Sequence, residues 1–368
     1  MRYFTVPADF SHETIDRFVL LNQEHKDACI FETYGEMQSD SFFTSGRMSA
    51  PKVGERKLRD YVEYAASQGI QFNYVLNGST MNNQEFTREG IAKIRDFVER
   101  LYQCGVKSFT VALFPIIEII KSMNLDIELV VSTIAQVDNN QLAQFYDAYG
   151  VDRIVTSEKI NRDFKQLKQI QSAIKSKVEV ITNSLCFIYC PFRMMHYNQI
   201  AAQYGDRSNQ VSTTYYQNRC TLRRTQSAEN YLKLAFIRPE DVKYYEEIGI
   251  EYFKIQGRQA VAAGDIYRTA RHYVEADFDG NLMELLHCFT SGVSDMYLNN
   301  KELDTFLTKF VQGSQTCQYG CGNCNYCRSF MEKSLKSSEQ ACQFINRQIK
   351  RNDLFQKMNQ SMTEEKKR

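Results

Sequence analysis

The sequence predicts an α/β fold: a (β/α)8 TIM-like barrel with a cysteine-bearing insertion after the seventh strand and a C-terminal helical, cysteine-rich extension. Three observations predict it. Eight short β-rich runs alternate with amphipathic helical runs over residues 1–280, and eight such units suit a closed parallel barrel better than an open sheet. The runs are nearly continuous in apolar residues, as in strands buried on both faces. No glycine-rich GxGxxG opens the first helix, so a dinucleotide-binding open sheet has no support.

Each unit can be read in turn. RYFTV (2–6) is a strand and HETIDRFVLLNQ its helix; ACIFETY (28–34) follows, with a polar loop and a helix at ERKLRDYVEYAAS. IQFNYVL (70–76) precedes a helix around FTREGIAKIRDFVERLYQCG, and SFTVAL (108–113) precedes PIIEIIKSM. DIELVVST (126–133) leads to NQLAQFYDAYG, and VDRIVTS (151–157) to KINRDFKQLKQIQSAI. VEVITNS (178–184) is the seventh strand, and IEYFKIQ (250–256) the eighth, with its helix through AAGDIYRTARHYVEA. About 65 residues separate strands seven and eight, carrying LCFIYCPFRMMHYN and NRCTLRR. Loops after strand ends build the active face of such a barrel, so an oversized insertion with three cysteines points to function. Residues 281–368 form the extension: LMELLHCF to ELDTFLTKFV, then a cysteine motif, then a charged tail ending in TEEKKR.

Composition bounds the function. The chain is 43% hydrophobic and 24% charged, with a net charge of +1, so no global field draws in nucleic acid or an anionic membrane. RNA binding would need a local basic groove. No apolar run approaches the ~20 residues of a membrane helix, and no signal peptide opens the chain. A cytoplasmic, reducing location is expected, where thiols or metal thiolates outlast disulfides. No GxSxG, HExxH or P-loop occurs, which leaves serine and zinc peptidases without a motif.

The cysteines carry the strongest signal. Cys317, Cys321, Cys324 and Cys327 fall within CQYGCGNCNYC, close enough to share a 4Fe–4S cluster or one zinc ion. Gly320 and Gly322 relax the backbone between them. The first three also match radical S-adenosylmethionine spacing, but that cluster follows the first barrel strand, not the eighth. A second group, Cys186 and Cys190 with Cys220, sits in the insertion. An iron cluster on three protein ligands keeps one iron open to substrate. No fourth ligand is evident there; Cys29, Cys104, Cys288 and Cys342 are candidates by default, and Cys29 and Cys104 read as structural.

The cations make a third constellation. Arg193 and His196 follow Cys190; Arg219, Arg223 and Arg224 flank Cys220; Arg238 opens RPEDVKYYEE; Lys254 and Arg258 lie in KIQGR. Guanidinium forks hold carboxylates or phosphates. Few acids stand nearby in sequence, so a small anionic ligand is expected to balance them, with Arg258 first among its clamps. Glu32 in IFETYG and Asp241 in RPED are candidate acid/base or orienting groups, Asp241 reading more simply as helix N-terminal charge. Glu32, Cys186, Lys254 and Arg258 are expected to converge at the C-terminal end of the barrel.

KIQGRQAVAAGDIYRTARHYVEA, with VEVITNSLCFIYCPF and NRCTLRR upstream, resembles the collagenase-like peptidase family, peptidase family U32, whose members carry a KIEGR-type motif. The resemblance implies a barrel holding a 4Fe–4S cluster at its mouth. It also implies oxygen-independent hydroxylation, in which family members modify tRNA or rRNA pyrimidines or a quinone precursor with prephenate as oxygen donor. By position, Cys186, Cys190 and Cys220 resemble the cluster ligands, and Lys254 and Arg258 the motif's Lys and Arg. Gln256 departs from the family's Glu, Asn183-Ser184 from its His-Gly pair, and a second cysteine after Cys220 is lacking. The expected enzyme is an iron–sulfur oxidoreductase or hydroxylase. It would have one cluster, or two if the C-terminal motif holds its own, with zinc as that motif's alternative. Its substrate would be a small prephenate-like anion, a peptide or an RNA base. A peptidase or peptide-binding protein, and a non-catalytic scaffold for a protein partner, are the alternatives.

Overall fold

Eight parallel strands close on themselves in sequence order, with the first pairing the last. The computed structural model describes residues 1–37, 53–202, 212, 214–291, 296–314, 317, 321, 324–336, 343, 346–347, 349–350 and 353–365; Gly320, Gly322 and Cys342 lie outside them. The strands are β1 (Arg2–Pro7), β2 (Ala28–Gly35), β3 (Gln71–Leu76), β4 (Ser108–Val111), β5 (Glu128–Val131), β6 (Arg153–Val155), β7 (Lys177–Ile181) and β8 (Tyr252–Lys254). Each of the eight β-rich runs contains one. Several are shorter than the run, because the ladder pairs only its centre; the leftover residues, such as Ser132 and Gln256, become the mouth.

The ring of helices comprises α1 (His12–Glu24), α2 (Glu55–Ser67), α3 (Arg88–Gln103), α4 (Phe114–Lys121), α5 (Asn140–Ala148), α6 (Phe164–Ala173), and α7 to α10 after β7. Side-chain caps fix several starts: Thr87 accepts from Gly90 N, Asn139 from Leu142 N, Asp163 from Gln166 N and Asp265 from Arg268 N. Each satisfies an otherwise unpaired amide of the first turn. Asp163 explains why KINRDFKQLKQIQSAI is not one helix: a 3-10 turn at Glu158–Ile160 precedes the cap, and α6 starts after it. The long interval before β8 folds as α7 (Arg193–Ala202), α8 (Tyr215–Arg224) and α9 (Val242–Glu246), and α10 (Ile266–Glu275) follows β8.

The main apolar core lies between strands and helices. It extends without a break into the C-terminal region through Leu282, Leu298, Phe306, Phe310 and Met331. Inside the barrel, Val130, Val155 and Ile181 make a separate small patch. Much of the remaining interior is polar: Thr5, Glu32, Asn73, Ser108, Thr110, Arg153 and Glu179 are all buried. Interiors of this fold are more often filled with branched aliphatic residues. No helix of the described residues is long and apolar enough to cross a membrane.

Candidate functional site at the barrel mouth

A cavity of about 60 Å³ opens where the strands end. Tyr34, Asn77, Ser132, Lys254, Gln256 and Arg258 line it, and Tyr197 and Ile200 of α7 cover it. The insertion thus supplies part of the roof.

Lys254, the last residue of β8, is the anomaly of this cavity. It is 8% exposed, and its Nζ has no hydrogen-bond partner among the described residues. Nζ lies 3.9 Å over the Tyr34 ring, and the Tyr34 hydroxyl donates to Ile255 O at 2.8 Å, which fixes the ring. Burial pushes the Lys254 ammonium below the ordinary lysine value, while Glu179 and Glu32 pull it back up. A cation kept from water without a bonded partner is costly unless a ligand completes it.

The turn after β8 is built to hold this edge. Gly257 has φ +152°, and a Cβ there would meet Cys288 Sγ and Ile266 Cδ1, each at 2.8 Å, so the KIQGR turn requires glycine. Asn183 braces it from β7's end: its Nδ2 donates to Gln256 O at 2.9 Å and its Oδ1 accepts from Gln256 N at 2.6 Å. Asn183 also donates to Cys288 Sγ at 3.3 Å, so Cys288 is packed into the turn's support. Arg258 reaches Glu36 Oε1 at 3.1 Å.

Glu158 was missed by sequence reasoning. Fully buried after β6, it accepts from Gln256 Nε2 and Thr133 Oγ1 at 3.3 Å, from Ser184 Oγ at 3.4 Å and from Arg193 Nη1 at 3.3 Å. It therefore joins the mouth to the insertion. Its one sequence signal was position: an acid just past a barrel strand's C-terminal end.

The other expected residues sort by partner. Glu32 is not at the mouth. It lies fully buried one layer below, with both carboxylate oxygens 2.7 Å from Arg153 Nη2. Arg153 also stands 3.6 Å from Glu179 and 3.7 Å from Glu128, a cluster that the separate strand positions did not reveal. Arg193 opens α7 and is occupied by Glu158 and by Phe187 O at 2.6 Å. His196 is on α7, near the Tyr216 ring; Tyr197 and Ile200, not His196, line the cavity. Arg219 pairs with Asp353 at 2.9 Å. Arg223 stacks on Phe187 and donates to Tyr189 O at 3.1 Å, and the buried Arg224 guanidinium faces the Tyr231 ring. Arg238 is clamped by both Asp241 oxygens, at 2.8 and 2.9 Å, and by Asn300 O and Asp304. The cationic surplus is thus met largely from inside the chain, by acids distant in sequence. Asp241 is an ion-pair partner more than a helix-end charge.

Cys186, Cys190 and Cys220, the last on α8, lie outside the cavity lining. Burial, then the Glu158 charge, pushes the Cys186 thiol up to about 12, and Arg193 opposes this. Burial also raises Cys220, against Arg224 and Arg223. Cys186 senses the sulfurs of Cys220 and Cys190, and Cys220 that of Cys190. Three thiols flanked by arginines have the donor chemistry of a thiolate-held cluster. As placed, no three His, Cys, Asp or Glu side chains among the described residues form a closed metal-binding group. The C-terminal cysteines line a separate cavity of about 230 Å³.

Comparison with known proteins places this architecture. The model of peptidase family U32 matches residues 39–304. An uncharacterized protease of Methanocaldococcus jannaschii is 32% identical over 306 residues, 83% of this chain and 89% of that protein. Among solved structures, a U32 peptidase superposes with a TM-score of 0.49 at 13% identity, covering 70% of this chain and 93% of its own. The tryptophan synthase complex from Pyrococcus furiosus gives 0.39 at 12% identity, covering 78% and 96%.

Proposed function

We propose, from the premise that the chain belongs to peptidase family U32, that it is an enzyme acting on a small anionic substrate at the barrel mouth, by iron–sulfur-dependent, oxygen-independent hydroxylation or a related redox modification. Lys254 carries this reading: a buried ammonium in a cavity, with no hydrogen-bond partner among the described residues. A carboxylate of the prephenate type would complete it. Tyr34 presents its ring face to the ammonium, Glu36 orients Arg258, and Asn77 and Ser132 offer neutral donors to the ligand's oxygens. Cys186, Cys190 and Cys220 would hold the cluster, which when bound supplies an open iron as Lewis acid or an electron carrier. Glu158 and Arg193 position the insertion that carries these cysteines.

Peptide hydrolysis is the second reading, favoured by the family's name. One feature weighs against it. The described lining of the cavity contains no His, Cys, Asp or Glu, and Lys254, its one amine, has no hydrogen bond to a Ser or Thr hydroxyl among the described residues that it could activate. Titration calorimetry of the anaerobically purified protein with small carboxylates is the test. Lys254→Met should weaken binding by ~2–4 kcal/mol with iron content unchanged. Wild-type affinity in that variant would overturn the site, and an iron-free wild type that cleaves peptides would overturn the redox assignment.

A further inference from the structure

The C-terminal motif is not absorbed by the mouth. Cys317, Cys321, Cys324 and Cys327 line one cavity of about 230 Å³, together with Lys233, Arg328 and Glu229. Four thiolates at this spacing suit one zinc ion or one 4Fe–4S cluster, and the cavity has room for the larger group. The second observation is Arg162. It is 6% exposed, with Nη1 and Nη2 donating only to the carbonyls of Leu232 and Leu234, at 2.6 and 2.7 Å. Among the described residues its Nε has no hydrogen-bond partner, and the rings of Phe236, Phe306 and Phe310 surround it. Among the described residues no carboxylate bonds it. The Cys327 and Cys317 sulfurs are within its electrostatic reach, and Cys317 shares a second cavity with it. Asp241 acts on it only through space and is itself clamped on Arg238, whereas four thiolates on a cluster would place net negative charge beside it.

We propose that Cys317, Cys321, Cys324 and Cys327 bind a 4Fe–4S cluster of their own, separate from the Cys186 group, with Arg162 as its buried counter-charge. The two cysteine groups back onto one short stretch. Lys233 faces this cavity, while Lys233 O accepts from Ile188 N at 3.2 Å and Ala235 N donates to Cys186 O at 2.8 Å.

The intact protein and its Cys321→Ala, Cys324→Ala and Cys186→Ala variants, each reconstituted anaerobically with iron and sulfide, are analysed for iron, acid-labile sulfide and zinc per chain. Cys321 and Cys324 are exposed, so their replacement spares the core; a circular-dichroism melt of each variant confirms folding. Cys321→Ala and Cys324→Ala should each lose about four iron and four sulfide, and Cys186→Ala should retain that complement. Unchanged iron in both C-terminal variants overturns the proposal, as does a single zinc lost from them. Iron lost only from Cys186→Ala overturns it too, while leaving the mouth reading intact.

Discussion

The two halves of the barrel interior handle charge in opposite ways. In the lower half, Arg153 meets Glu32 in direct hydrogen bonds and stands near Glu179 and Glu128. One cation from β6 hydrogen-bonds Glu32 of β2 across the barrel and stands within ion-pair distance of acids on the adjacent β5 and β7. In the upper half, Lys254 is buried but has no hydrogen-bond partner among the described residues, although Glu32 and Glu179 attract it from below. What separates the two is access: the lower cluster lies outside the cavity lining, while Lys254 lines it. The difference teaches where to look for ligand: at the buried charge that borders a cavity, not where sequence shows most cations.

Breaking the lower cluster gives the largest effect. Arg153→Met strands Glu32 and Glu179, both fully buried, without their guanidinium. Loss of one partner from a buried ion pair costs ~3–5 kcal/mol. Urea unfolding should show a loss of this size, and a loss below ~1 kcal/mol would mean that water or proton uptake replaces the arginine.

The upper half responds to pH with a definite sign. Lys254 titrates below the ordinary 10.5 of lysine, chiefly because burial disfavours its charged form. Between that depressed value and 10.5 the unfolded chain binds the extra proton, so stability rises with pH across the window, by at most ~1.4 kcal/mol per pH unit for one proton. Anion affinity should fall over the same range as the ammonium is lost. Urea titrations of wild type and Lys254→Met from neutrality to pH 10.5 measure the first trend. A constant difference between the two proteins would show that Lys254 is not desolvated.

Much of this was legible in the sequence, and the misses have a common cause. Strand alternation and near-continuous apolar runs gave all eight strands, because periodicity is local. KIQGR gave Lys254 and Arg258 at the end of the eighth strand, because the motif names them; that Gly257 is required by the turn was visible only in the structure. Pairing was not legible. Arg238 seemed available although its bidentate partner, Asp241, stands three residues on, with Asn300 O and Asp304 added from more than 60 residues away, and Arg219 seemed available until Asp353 closed on it. Glu32 was placed one layer too high, since strand position does not say which rung a side chain occupies. Glu158 has no motif at all; its role exists only where β6, β7 and β8 meet.

The smallest expected effect sharpens the comparison at its edge. Arg223 stands in the insertion that contributes to the mouth's roof, so a substrate role was a fair expectation. Its guanidinium, however, lies 4.4 Å over the Phe187 ring and donates to Tyr189 O at 3.1 Å. Both contacts hold the segment after Cys186 against α8, and neither faces the cavity. A half-exposed cation–π contact is worth ~0.5–1 kcal/mol, and the hydrogen bond from a solvent-reachable donor adds little because water replaces it. Arg223→Ala should therefore lower unfolding free energy by ~0.5–1 kcal/mol and leave carboxylate affinity within about twofold of wild type, since ~0.4 kcal/mol corresponds to that ratio. The same calorimetry used for Lys254→Met reads the outcome. A tenfold loss of affinity in Arg223→Ala would move the insertion's cations over the substrate, and Lys254 would no longer be the mouth's distinguishing charge.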